Sequence, residues 1–189
     1  EQAIKDIKKA ENADLIEVRL DYIKDLNDEK LKKIIKSCKK PVIATNRKKD
    51  EGGFFNDGES RRLQILTNAV KNSADYIDVE YSVSKDIIKK LIKNKNKTKV
   101  IVSYHNFKET PNNIKNVYDN ISKLNPDLVK IVTYANSVTD NFKIFELIKI
   151  ANRKNRKIIA FCMGSYGQFS RILSIILGSQ VIYSSTKEG

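Results

Sequence analysis

The stretch that decides the fold is DLIEVRLD, residues 14–21. Side chains alternate across a strand, so Leu15, Glu17, Arg19 and Asp21 share one face while Ile16, Val18 and Leu20 share the other. The apolar face can pack on helices. The opposite face carries charge, which would be costly in an open sheet covered by helices on both sides. The same split recurs downstream: Ile43, Thr45 and Arg47 alternate with Val42 and Ala44, Asp78 and Glu80 with Ile77 and Val79, and Ser103 and His105 with Val102 and Tyr104. Polar groups from many strands therefore converge on one side, as they do at the C-terminal strand ends of a (β/α) barrel.

Working outward, strands are predicted at 14–21, 40–47, 75–81, 99–107, 127–135, 157–164 and 180–186. Helical segments are predicted over 28–38, 58–72, 84–93, 111–123, 137–151 and 167–177, with another opening the chain at 1–11. In the segment from Gly58, Leu63, Leu66, Ala69 and Val70 follow helical spacing. Strand, helix and strand at this period give parallel strands joined by crossovers, hence an α/β chain of the (β/α)8 TIM-barrel class. No Gly-rich phosphate loop follows any strand, which weakens a nucleotide-binding alternative.

The 189 residues, 40% hydrophobic and 31% charged, can bury a real core. They read as one barrel domain over 1–189 that lacks the first strand and the last helix, because such barrels usually take about 250 residues. No apolar run is long enough for a membrane span and no signal-peptide core opens the chain, so a cytoplasmic protein is expected. Cys38 and Cys162 sit in no metal or disulfide spacing, so the expectation is no metal and reduced thiols. The net charge of +13 would suit a nucleic acid or an anionic membrane, but Lys recurs in nearly every polar segment and builds no single basic arm. A solvated helical coat is expected, with no nucleic-acid and no membrane partner.

Lys130 lies mid-strand in DLVKIVTYA with Leu128 and Val132 on its own face. A buried amine is disfavoured as an ammonium and can attack a carbonyl to form a Schiff base; equally, it can pair with an inward carboxylate such as Glu80 or Glu51. His105, the one histidine, ends the preceding predicted strand and suits repeated proton removal and return. Arg47 closes another strand before KKDEGGFF, from which Glu51 could reach inward. Arg171 falls early in the helix after Met163, where a guanidinium and a helix N-terminus both favour an anion. Together the two arginines suggest a substrate bearing a carboxylate.

The series EVRLD, PVIATNR with EGG, YIDVE, VSYHNF with TP, DLVKIV and FCMGSYGQFSR resembles the type I 3-dehydroquinase family, in order and spacing from Ala13 to Tyr183. The resemblance implies a lyase that performs syn-dehydration of 3-dehydroquinate to 3-dehydroshikimate, the third step of the shikimate route to aromatic amino acids. It implies a (β/α)8 barrel, a homodimer, and no cofactor. On it, Lys130 matches the Schiff-base lysine, His105 the general acid/base and Glu51 the carboxylate that orients it. Arg171 matches the residue that pairs with the substrate carboxylate, Glu17, Arg19 and Arg47 the groups that bind ring hydroxyls, and Met163 and Phe107 the apolar walls. Asp78 and Glu80 are inward-facing. The Ser-Ala-Pro-Gly-Gln-like lid segment of the family is not found in SSTKEG. An aldolase using the same lysine chemistry, a truncated barrel without turnover, and a basic binding protein are the rival readings.

Overall fold

The computed structural model describes residues 1–10 and 12–185. They fall into two compact units: Glu1–Val79 with Asp86–Val100 and Ser185, and Glu80–Lys85 with Ile101–Ser184.

The first unit runs α1 (Gln2–Lys9), β1 (Ile16–Arg19), α2 (Asp28–Ser37), β2 (Val42–Thr45), α3 (Glu59–Lys71), β3 (Tyr76–Glu80, its last residue opening the second unit) and α4 (Lys85–Lys93). Helix α2 follows from its sequence. The Asn27 side chain caps it by accepting from the Lys30 amide at 2.9 Å, and Asp28 and Glu29 sit at the positive end of the helix dipole. Leu31, Ile34 and Ile35 are buried at helical spacing while Lys30, Lys32, Lys33 and Lys36 are exposed, the solvated lysine coat the sequence predicts. Strands β1 and β2 pair in parallel from Ile16↔Val42 to Arg19↔Thr45, and β2 pairs with β3 up to Thr45↔Asp78. The Asp75 carboxylate accepts the Val42 amide at 2.9 Å and starts that ladder.

Helix α3 departs from the expected stripe. Leu66, Ala69 and Val70 are buried as predicted, but Ile65 is buried with them and Leu63 is only half-buried. Arg62, on the same helix, is 1% exposed. It is tolerated there because its charge and donors are used: two bonds go to Glu59 at 2.7 and 2.9 Å and one to the Asn46 carbonyl at 2.8 Å.

The second unit is built from β4 (Lys99–Asn106, its first two residues belonging to the first unit), α5 (Ile114–Ser122), β5 (Leu128–Tyr134), α6 (Asp140–Arg153), β6 (Ile158–Met163) and α7 (Gln168–Ile176). Strands β4, β5 and β6 pair in parallel and in chain order, with Ser103↔Lys130, His105↔Val132 and Lys130↔Ile159 in register. Ile131, Ile144, Ile148 and Ala160 are fully buried between strands and helices. The β5 to α6 connection is fixed by Asp140, which accepts the Asn136 and Ser137 amides and pairs with Lys143 at 3.0 Å. Burial works against this carboxylate's charge, and the Lys143 ammonium and the two amides outweigh it, so its pKa lies below the ordinary value.

Six of the expected strands form, each shorter than its sequence range. The one expected over 180–186 does not: residues 181–185 carry no strand, and Thr186 lies outside the described residues. A ladder needs repeated backbone pairs, whereas this segment meets its neighbours through a mixture of backbone and side-chain bonds. The Gln180 amide reaches the Ile158 carbonyl, the Ala160 amide is met by the Ser179 hydroxyl, and the Tyr183 carbonyl accepts from Arg171 at 2.9 Å. The opening helix, expected over 1–11, ends at Lys9, and Glu11 lies outside the described residues. Among the described residues no helix is long and apolar enough to cross a membrane.

Candidate active site

Three short 3₁₀ turns follow strands and were not legible as elements: Leu20–Tyr22, Lys49–Glu51 and Ser165–Gly167. Each sets a chemical group just beyond a strand end.

In the first unit, the charged face of β1 and β2 carries a network of paired ions. Arg47 meets Asp78 at 2.7 Å, with both side chains almost wholly buried (4% and 0% exposed). Arg19 makes a bidentate pair with Asp21, Nε to Oδ1 at 2.9 Å and a terminal nitrogen to Oδ2 at 2.7 Å. Burial alone would weaken the Arg19 charge, and the Asp21 carboxylate more than offsets it, raising the pKa of the guanidinium. Glu17 accepts from the Thr45 hydroxyl at 2.8 Å. Glu51 lies in the second 3₁₀ turn with its carboxylate 3.8 Å from the Lys48 ammonium and largely buried. Gly52 caps that turn at φ +78°, a left-handed position that glycine takes without strain. Gly53 lets the chain fold back, since a Cβ there would lie 1.9 Å from the Arg47 carbonyl oxygen.

In the second unit, Lys130 is buried mid-strand on β5, 5% exposed. Its ammonium nitrogen lies 4.5 Å from the centre of the Tyr183 ring, within cation–π range. Register places Ser103 beside Lys130 and His105 two residues further along the same face of β4. Strand spacing and rise then put the Cα atoms of Lys130 and His105 roughly 8 Å apart. Phe107 stacks beside the His105 imidazole at 6.3 Å and 20° between planes. Thr110 ties the chain after β4 to the end of β5, bonding the Thr133 hydroxyl at 2.8 Å and the Tyr134 carbonyl at 2.9 Å.

Met163, Gly164, Ser165, Gln168, Arg171 and Cys162 line a cleft of about 310 Å³ at the start of α7. The Arg171 guanidinium lies 5.2 Å from the Phe161 ring and donates to the Tyr183 carbonyl. Helix α7 runs against the usual amphipathic pattern. It buries Ser170 and Ser174 and leaves Ile172 and Ile176 63% and 74% exposed. The Ser170 hydroxyl accepts the Cys162 amide at 2.8 Å and donates to the Gly167 carbonyl at 2.6 Å. Burial pushes the Cys162 thiol up, so it stays a neutral packing group. Among the described residues no group of three His, Cys, Asp or Glu is placed to hold a metal.

A buried strand lysine beside a histidine strand, with arginines at other strand ends, is the arrangement whose motifs resemble the type I 3-dehydroquinases. The profile described as type I 3-dehydroquinase matches residues 1–189. The chain belongs to the type I 3-dehydroquinase family.

Two curated 3-dehydroquinate dehydratases show how close the relation is within this family. That of Pyrococcus abyssi is 38% identical over 92% of this chain and 78% of its own length. That of Dehalococcoides mccartyi is 34% identical over 96% of this chain and 80% of its own. The crystal structure of the type I 3-dehydroquinate dehydratase of Clostridium difficile superposes with a TM-score of 0.89 at 24% identity, covering 97% of this chain and 78% of that one. The fold class is therefore the TIM barrel expected from the strand faces.

Of the nine residues singled out in the sequence, Lys130, His105, Phe107, Met163 and Arg171 fall in the second unit, and Glu17, Arg19, Arg47 and Glu51 in the first. Two further residues escaped sequence reading. Tyr183 stands over Lys130 from a segment read only as a strand, and Asp21 was seen only as one more charge on the polar face of β1. The i, i+2 spacing of Arg19 and Asp21 on one strand face was the available signal for their pair.

Proposed function

We propose that this chain dehydrates 3-dehydroquinate to 3-dehydroshikimate, the third step of the shikimate route to aromatic amino acids, through a Schiff base on Lys130. The observation that carries the reading is a strand lysine, 5% exposed, whose neighbouring strand presents the chain's one histidine on the same face. The amine condenses with the C3 ketone and expels water, giving an iminium. That cation withdraws the electron pair left when the C2 proton departs to His105, forming an enamine. The pair then returns to expel the C1 hydroxyl, which the same imidazole protonates so that it leaves as water. Hydrolysis of the imine restores the amine, and the net change is loss of one water. Because one imidazole serves both groups, they must lie on one face of the ring, and elimination is syn.

On the family resemblance, Glu51 supplies the carboxylate partner of the catalytic imidazole. Glu17, Arg19 and Arg47 receive ring hydroxyls, and Arg171 pairs with the substrate carboxylate beside Met163. Phe107 serves as an apolar wall. The same reading makes the enzyme a cytoplasmic homodimer, and the exposed Ile172 and Ile176 on α7 offer apolar surface for such an association. Sedimentation at micromolar concentration tests that part, and a monomer throughout refutes it. The reaction itself is tested by adding 3-dehydroquinate with borohydride. Intact mass should rise by the reduced ligand, and peptide mapping should place it on Lys130. An adduct at another lysine, or none, overturns the assignment. Absorbance growth from the conjugated enone reports turnover.

A further inference from the structure

The proposed reaction leaves the buried Asp21 carboxylate of the first unit without a role. We infer that Asp21 is the positioning residue that joins Arg19, Arg47 and the loop bearing Glu51 into one rigid group.

The carboxylate is fully buried and uses both oxygens twice. Oδ1 accepts Arg19 Nε at 2.9 Å and the Arg47 backbone amide at 3.3 Å. Oδ2 accepts the other Arg19 nitrogen at 2.7 Å and the Phe54 backbone amide at 3.1 Å. Four donors fill about the four acceptor sites a carboxylate has, and no neutral side chain of that size offers as many. The Arg19 nitrogen bound to Oδ2 also donates to the Gly52 carbonyl at 3.2 Å. The chain from Arg47 to Phe54 is thus held at its first and last residues by Asp21, just beyond β1, and at Gly52 by Arg19 on β1. Between these anchors it closes on itself: the Gly53 amide bonds the Lys48 carbonyl at 2.9 Å, and Lys48 and Phe55 form a bridge. Glu51 sits inside that closed segment, two residues before the close approach of Gly53 to the Arg47 carbonyl. Outside the ion pair, the Tyr22 and Phe54 rings lie 4.6 Å apart, and the Arg19 guanidinium sits 4.8 Å from the centre of the Tyr22 ring. Moving Asp21 therefore moves two substrate-binding guanidinium stems and the Glu51 turn together. Displacements of about 1 Å at a reacting centre cost on the order of 100-fold.

This inference rests on the dehydratase reading, so its test separates the two. Borohydride trapping on Lys130 is followed by intact mass as 3-dehydroquinate is varied, for the parent chain, Asp21→Asn, Asp21→Glu and Asp140→Asn, with thermal unfolding measured for each. Asp140→Asn breaks a comparable set of amide and lysine bonds in the second unit and serves as the structural control. Asp21→Asn is expected to raise the half-saturating concentration about 10- to 100-fold. Asp21→Glu, which keeps the charge and both oxygens, should recover part of that loss. Asp140→Asn should lower the unfolding temperature with half-saturation unchanged. If Asp21→Asn melts lower but half-saturates within about twofold of the parent, Asp21 is merely structural and the inference is overturned. If the parent itself forms no adduct at Lys130, the dehydratase reading has failed instead, and the inference falls with it.

Discussion

The two units handle charge in different ways. In the first, Arg19, Arg47 and Arg62 each lie against a carboxylate at 2.7 Å, on Asp21, Asp78 and Glu59. In the second, Lys130 lies against the face of a tyrosine ring, and the buried polar groups include the Glu80 carboxylate, Asp140 paired with Lys143, and the hydroxyls of Thr110, Thr133, Ser170 and Ser174. Guanidinium groups keep their charge across the working range of pH, so firm pairing costs them nothing in reactivity. A ring face adds a weaker attraction to an ammonium than a carboxylate would. The contrast is between guanidinium–carboxylate pairs in the first unit and an amine set against a ring face in the second.

Replacing Lys130 with Ala breaks that contrast most completely. Dehydration should fall by at least about 1000-fold and borohydride trapping should vanish, since no other group supplies the covalent electron sink; full activity measured by enone absorbance would be fatal to it. Next comes Asp78→Ala, which strands the Arg47 guanidinium in the interior. Losing one partner of a buried pair costs about 3–5 kcal/mol, read as a fall in the urea midpoint, whereas a surface pair would cost less than about 1 kcal/mol. Tyr183→Leu removes the ring over Lys130 and should destabilise by about 0.5–2 kcal/mol, while Tyr183→Phe keeps the ring face and should match the parent within error in the same unfolding experiment.

The smallest effect is a pH effect. The hydrogen bonds from Arg62 hold the Glu59 carboxyl below its ordinary value of 4.5, against the opposing influence of burial. A carboxylate with a lowered folded-state pKa adds stability that is complete above the unfolded value and is lost as pH falls through the folded one. Parent and Glu59→Gln should therefore differ at pH 7, by about 1 kcal/mol or less because Glu59 is half exposed, and converge in acid once pH has fallen through the lowered folded-state value. Urea unfolding at neutral and acid pH measures this, and a gap that widens in acid would reverse the assigned sign.

Much of this was readable in the residues. Alternation on DLIEVRLD and its counterparts identified the polar strand faces, and helical spacing located α2 and α4 within a residue or two. Periodicity assigns a face and does not assign a partner. Arg47 and Asp78 could be placed on inward faces, but their pairing depends on strand register, which no local pattern carries. Helical spacing likewise does not reveal that Arg62 is buried, because its burial depends on its partners, Glu59 and the Asn46 carbonyl. The segment after Gly178 carries the β-branched and aromatic residues that signal a strand, yet it meets β6 and α7 through the Ser179 hydroxyl, the Gln180 amide and the Tyr183 carbonyl without forming one.

The inward serines of α7 carry a consequence for how Arg171 is aimed. A helix seated by oily side chains can roll a few degrees and repack, since such contacts have no preferred direction. This one is keyed to β6 by the Ser170 hydroxyl, which takes the Cys162 amide at 2.8 Å. Arg171 is the very next residue, so its azimuth about the helix axis is fixed at one-step offset, about 100°, from that bond. The direction in which Arg171 leaves the helix is thus governed by a hydroxyl that is itself fully buried.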